Sequence, residues 1–107
     1  MTTRHITEYV LGAVDDVPPG EGREYVVEGR RIAVFRPRGG DVVALDARCP
    51  HAGGPLADGM VGMDGVVCPL HARRFSFADG SSDHDGCAVM VHRVTVDDGM
   101  LVLTPGW

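Results

Sequence analysis

Two short stretches of the chain each set a cysteine beside a histidine. Cys49-Pro50-His51 lies within RCPHAGGPLADG (48–59), and Cys68-Pro69-Leu70-His71 lies within CPLHARRF (68–75). Sixteen residues separate His51 from Cys68. Thiolate and imidazole both suit iron and zinc, and metals that prefer carboxylates are poor candidates. Zinc sites usually take two cysteines from one pair and two histidines from the other, or cysteine pairs throughout. Here each loop supplies one of each. That mixed order suits two metals gripped between opposed loops, one held by two thiolates and one by two imidazoles. A zinc-bound interaction module is the competing reading. Pro50 and Pro69 stiffen the loop after each cysteine. Gly53 and Gly54 allow the positive φ angles and close approach that a loop wrapped around a metal centre needs.

The elements that must position these loops read as strands. The segment 8–14 (EYVLGAV) is a first strand, and 17–22 (VPPGEG) is a loop, because its prolines and glycines cannot hold a helix or a central strand. Residues 23–36 read as two strands turning at Glu28-Gly29, and 38–46 as a Gly-Gly turn followed by a strand. Residues 64–70 and 73–77 are short strands flanking the second Cys/His pair, and 90–104 is a final hairpin turning at Asp98-Gly99. No helix-period stripe of useful length competes, so the fold class is all-β. The segment from about Asp46 to Ala78 is richer in Gly, Pro and Cys than its flanks, and is expected to form a small subdomain set into the β framework.

CPHAGGPLADG and CPLHARRF together resemble the two cluster-binding boxes of Rieske iron–sulfur proteins. The flanking strands are also similar to that family's domain, so the resemblance spans nearly the whole chain. It implies an antiparallel, Rieske-like β-sandwich over one domain, residues 1–107, with a cluster-binding subdomain of two opposed loops at about 46–78. It further implies one [2Fe-2S] cluster, with Cys49 and Cys68 on the buried iron and His51 and His71 on the outer iron, in the His₂/Cys₂ ligation of a Rieske centre. Backbone N–H groups of such loops can donate to the sulfurs and favour the extra electron. The high-potential members carry a second cysteine in each box and serine and tyrosine donors. Here the corresponding places hold Gly53 and Gly54 in box one, and Leu70, Ala72 and Arg73 in box two. The chain is thus more similar to the Rieske ferredoxins of oxygenase systems and to the small subunit of assimilatory nitrite reductases. It departs from them at Ala72, where glycine is frequent, and at 78–89 (ADGSSDHDGCAV), where a proline-containing covering loop is frequent.

The function implied is a low-potential one-electron carrier. It would take electrons from a flavin-dependent or ferredoxin reductase to a terminal oxygenase; the alternative is an obligate subunit beside a nitrite reductase large subunit. No nucleophile motif or Rossmann glycine pattern points to a catalytic site of its own. The net charge of −5 argues against nucleic acid or an anionic membrane as partner. No apolar run approaches the ~18 residues of a membrane span. The stretch MTTRHITEYVLGAVDD has no signal-like apolar core, so a cytoplasmic location is expected, where thiols stay reduced. Among the remaining candidates, Cys87 reads as a packed small hydrophobe, His84 as a solvated loop residue, His5 as part of a loose terminus and His92 as a sheet-surface residue. Arg73 and Arg74 read as ion-pair partners of acids such as Asp79, with docking as the alternative. Phe75 and Phe77 read as core.

Overall fold

The computed structural model describes residues 7–48, 53–70, 73–82 and 88–107. Its centre is strand β3 (Arg30–Arg36), whose run Ile32-Ala33-Val34-Phe35 is buried without a break. Successive side chains of a strand point to opposite faces. A continuous apolar run therefore means that both faces are covered. Ile32 and Val34 join one buried cluster with Val17, Val27, Ala44, Leu101 and Leu103. Ala33 and Phe35 join the other, with Leu45, Leu56, Val66, Cys68, Phe75 and Phe77.

Around β3 the strands are β1 (Tyr9–Ala13), β2 (Glu21–Val27), β4 (Val43–Asp46), β8 (Val91–Asp97) and β9 (Met100–Thr104). They form one six-stranded antiparallel sheet in the order β1-β9-β8-β4-β3-β2. Leu101 and Leu103 of β9 share a buried cluster with Ile32 and Val34 of β3, so the sheet folds over on itself around that cluster. A second, three-stranded sheet of β5 (Met60–Val61), β6 (Gly65–Val67) and β7 (Arg74–Ser76) contributes Val66 and Phe75 to the other cluster. The architecture is the expected all-β, antiparallel sandwich. No helix among the described residues is long and apolar enough to cross a membrane.

Both expected hairpin turns are present. Glu28 and Gly29 have φ of 53° and 75°, and Asp98 and Gly99 have φ of 52° and 76°. Two consecutive positive φ values match the type I′ turn, whose twist suits a two-residue hairpin. Three details differ from the sequence reading. The loop after Val17 is shorter than 17–22, because Glu21 and Gly22 already pair with Arg36 and Phe35. Gly22 permits this: a Cβ there would stand 2.6 Å from the Phe35 ring. The two-residue strand β5 was not anticipated, being too short to leave an alternating pattern.

The third difference is His92, which is not a sheet-surface residue but only 3% exposed. It sits opposite Ala44 in the β4–β8 pairing, and the chain's last residues fold over it. The Gly106 N–H donates to its Nδ1 at 2.9 Å, and its Nε2 lies 2.9 Å from Asp46 Oδ1. An amide can only donate, so Nδ1 is the acceptor and the ring proton sits on Nε2, facing Asp46. The Trp107 ring meets the imidazole edge-on at 5.3 Å, and the Arg30 guanidinium lies 4.6 Å above that tryptophan.

Candidate metal centre

Each ligand loop springs from a pair of strands or strand-like segments tied at the base. Below box one, β4 runs into Ala47 and Arg48. The Leu56 N–H donates to the Ala47 carbonyl at 2.8 Å, and Arg48 bridges Pro55 in antiparallel fashion. The short 3-10 turn Leu56–Asp58 follows, with Leu56 buried in the core. Below box two, Cys68 leaves β6 and its N–H donates to the Arg73 carbonyl at 2.7 Å, just before β7 begins. Both loops therefore open from closed necks, which fixes where their ends start and finish.

Cys68 is buried at 1% exposure, at the rim of the cluster that includes Leu56, Val66 and Phe75. Gly54 from the other loop lies directly against it. A Cβ at Gly54 would fall 2.8 Å from Cys68 Sγ and 3.1 Å from the Leu70 side chain. Gly53, with φ of +67°, turns the chain into this approach. The two loops are thus opposed, as their sequences suggest, and meet across a glycine whose missing side chain lets the backbone approach the buried sulfur. Leu70 covers the same notch from outside and is 56% exposed. Of the four expected ligands, Cys68 falls in the described part of the structure. Cys49, His51 and His71 lie outside the described residues, as do Cys87, His84 and His5.

Residues around the loops follow the sequence reading in part. Phe75 and Phe77 are core, with the Phe77 ring 5.4 Å from that of Phe35. Asp79 accepts from the Ser81 N–H at 3.0 Å and the Ser81 hydroxyl at 2.7 Å. These bonds hold its carboxyl below the usual range. Arg48, next to Cys49, shares a charge network with Glu24 that sequence reasoning missed, because a contact across 24 positions leaves no local pattern.

The Rieske [2Fe-2S] domain model matches residues 7–95. The chain belongs to the Rieske family. A human Rieske domain-containing protein is 29% identical over 121 residues, covering 94% of this chain and 76% of that protein. The ferredoxin of carbazole 1,9a-dioxygenase from Nocardioides aromaticivorans IC177 superposes with a TM-score of 0.82 at 28% identity, covering 92% of this chain and 98% of that one. A Mycobacterium tuberculosis protein provisionally assigned as an NADH-dependent nitrite reductase small subunit superposes with a TM-score of 0.87 at 25% identity, covering 97% and 99%. Against several longer relatives the chain spans between 14% and 18% of their length. The Rieske family's cofactor is one [2Fe-2S] cluster, which sets the zinc reading aside. The loops fit it: the buried Cys68 sulfur, a ligand-type atom, faces a glycine of the other loop, and backbone necks hold the described ends of both loops in place. The Rieske domain is a ferredoxin-like electron carrier.

Proposed function

We propose that the chain is a low-potential one-electron carrier in which Cys49 and Cys68 hold the inner iron and His51 and His71 the outer one. The observation that carries the reading is the contact of Gly54 with Cys68 Sγ, which sets the first ligand loop against a ligand atom of the second. Bound between the loops, a Rieske cluster supplies single-electron exchange with no covalent change in the protein. The chain's own residues do the rest. Cys68 is kept out of water by Leu56, Val66 and Phe75, Leu70 covers the notch, and the two loop necks limit reorganisation when the charge changes. The whole reads as one domain, residues 1–107, with the cluster-binding part at about 46–78.

The partners proposed are a flavin-dependent or ferredoxin reductase as donor and a terminal oxygenase as acceptor, by analogy with the carbazole dioxygenase ferredoxin. The second reading, a fixed nitrite reductase subunit, is favoured by the close superposition on the M. tuberculosis protein. Rieske potentials span roughly −150 to +300 mV. Neither box of this chain has a second cysteine to form a disulfide, and its net charge is −5. A midpoint near the low end is expected, on the order of −150 mV. Protein-film voltammetry at neutral pH tests it, and a midpoint well above zero contradicts it. Purification separates the partner readings. A brown protein isolated without a large subunit supports the ferredoxin, and co-purification with a sirohaem subunit supports the nitrite reductase.

A further inference from the structure

Arg48 is the last described residue before Cys49, and its guanidinium points two ways. Nη1 donates to the Gly53 carbonyl over a long 3.5 Å, so one side chain links the two ends of the 49–52 segment. Nη2 lies 3.3 Å from Oε1 and 3.4 Å from Oε2 of Glu24 on β2. Glu24 Oε2 also accepts from Arg31 Nη1 on β3 at 2.8 Å. Glu24 Oε1 is shielded from water and makes no hydrogen bond among the described residues, so its stabilisation there is the charge of the neighbouring Arg48. An isolated surface pair contributes little. This one is a network of two arginines and one glutamate, with Glu24 only 24% exposed. A guanidinium presents donors in a planar fork, which lysine lacks.

We propose that Arg48 is a positioning residue for the first ligand loop and that Glu24 is its counter-charge. Together they would tie Arg48 and Gly53, the two described ends of the first ligand loop, to the sheet and set the net charge beside the cluster. This rests on the ligand assignment above. Arg31, Glu24 and Arg48 sum to one positive charge. Removing Arg48 takes it to zero, and neutralising Glu24 takes it to two. Positive charge favours the reduced state, so the two changes should move the potential in opposite directions. A general loosening of the fold would not produce opposite signs.

The test uses the full chain as wild type, R48Q, R48K and E24Q. It reads the midpoint potential and the rate at which an iron chelator bleaches the visible absorption. R48Q should bleach severalfold faster with a lower potential. E24Q should also bleach faster, but with a higher potential. R48K keeps the charge without the fork, so its potential should match wild type while its bleaching falls between wild type and R48Q. Shifts of R48Q and E24Q in the same direction, or bleaching of R48Q at the wild-type rate, would overturn the proposal. If R48Q holds no cluster, the other two variants decide: E24Q shifted upward with R48K unshifted supports the clamp, and E24Q shifted downward overturns it. A colourless wild type would overturn the ligand assignment and the clamp together. A coloured wild type with unaffected variants would overturn the clamp alone.

Discussion

Gly54 carries the steric requirement set directly against a ligand-type sulfur. A Cβ placed 2.8 Å from Cys68 Sγ cannot be absorbed without moving the sulfur or the loop, because Leu70 blocks the other side at 3.1 Å. Gly53 is the contrast: nothing lies within 4 Å of its Cβ position, so a side chain there meets only the strain of φ +67°. That strain is about 1–2 kcal/mol. Gly54→Ala should therefore cut iron content per chain severely while the β-sheet signal in circular dichroism survives. Gly53→Ala should keep its iron and lose a little thermal stability. Equal iron contents in the two variants would contradict the notch. The Cys/His pairs and the two glycines were legible in the sequence because ligand spacing and loop glycines are local patterns. The depth of Cys68 and the cover given by Leu70 were not, since they depend on where the other loop lands.

Among the elements, β2 carries an instructive side chain. The Tyr25 hydroxyl is buried and makes no hydrogen bond among the described residues. Burial, opposed by Arg23 and assisted by Asp16, pushes its ionisation above 10.0. The unfolded chain then ionises first, so Tyr25 contributes stability below about pH 10 that is lost as pH rises from there toward the folded-state value. Tyr25→Phe removes both the alkaline loss and the unpartnered hydroxyl. Denaturant unfolding should find this variant at least as stable as wild type at neutral pH and less sensitive to alkali. A Tyr25→Phe variant that is less stable at pH 7 and equally sensitive to alkali would contradict this reading. The hairpins and β3 were readable for simple reasons. Two turn glycines punctuate the hairpins, and an unbroken apolar run marks a strand covered on both faces. The strand β5 escaped because two residues carry no period.

Across the whole molecule, the His92–Asp46 pair ties distant parts of the chain. Asp46, at the end of the strand that leads into box one, accepts from the Met90 N–H at 3.0 Å as well as facing His92. His92 in turn holds Gly106, and Trp107 closes over it. None of this shows in VHRVTV, which reads as an ordinary strand; the burial comes from Asp46, 46 positions earlier, and from the tail, 14 positions later. His92→Ala removes the acceptor of the Gly106 N–H and leaves a hole under the tryptophan, and the lost hydrogen bond alone costs about 0.5–1.5 kcal/mol. Trp107 is the single tryptophan of the chain, so its fluorescence reports the tail directly. The variant should show red-shifted emission and a lower unfolding midpoint while keeping its iron. Unchanged emission and stability would contradict the latch.

In the proposed assignment, two opposed loops hold one two-iron cluster through Cys49, His51, Cys68 and His71. The most direct measurement is iron, zinc and acid-labile sulfide per purified chain, read together with the EPR spectrum after reduction, in wild type, Cys68→Ser and Cys87→Ser. Wild type should contain two irons and two sulfides, with a rhombic signal of average g below the free-electron value. Cys87→Ser should match it, and Cys68→Ser should lose the cluster, because a hydroxyl is a poor replacement for a thiolate ligand. One zinc and no sulfide in wild type, or a cluster that survives Cys68→Ser and is lost in Cys87→Ser, would contradict it.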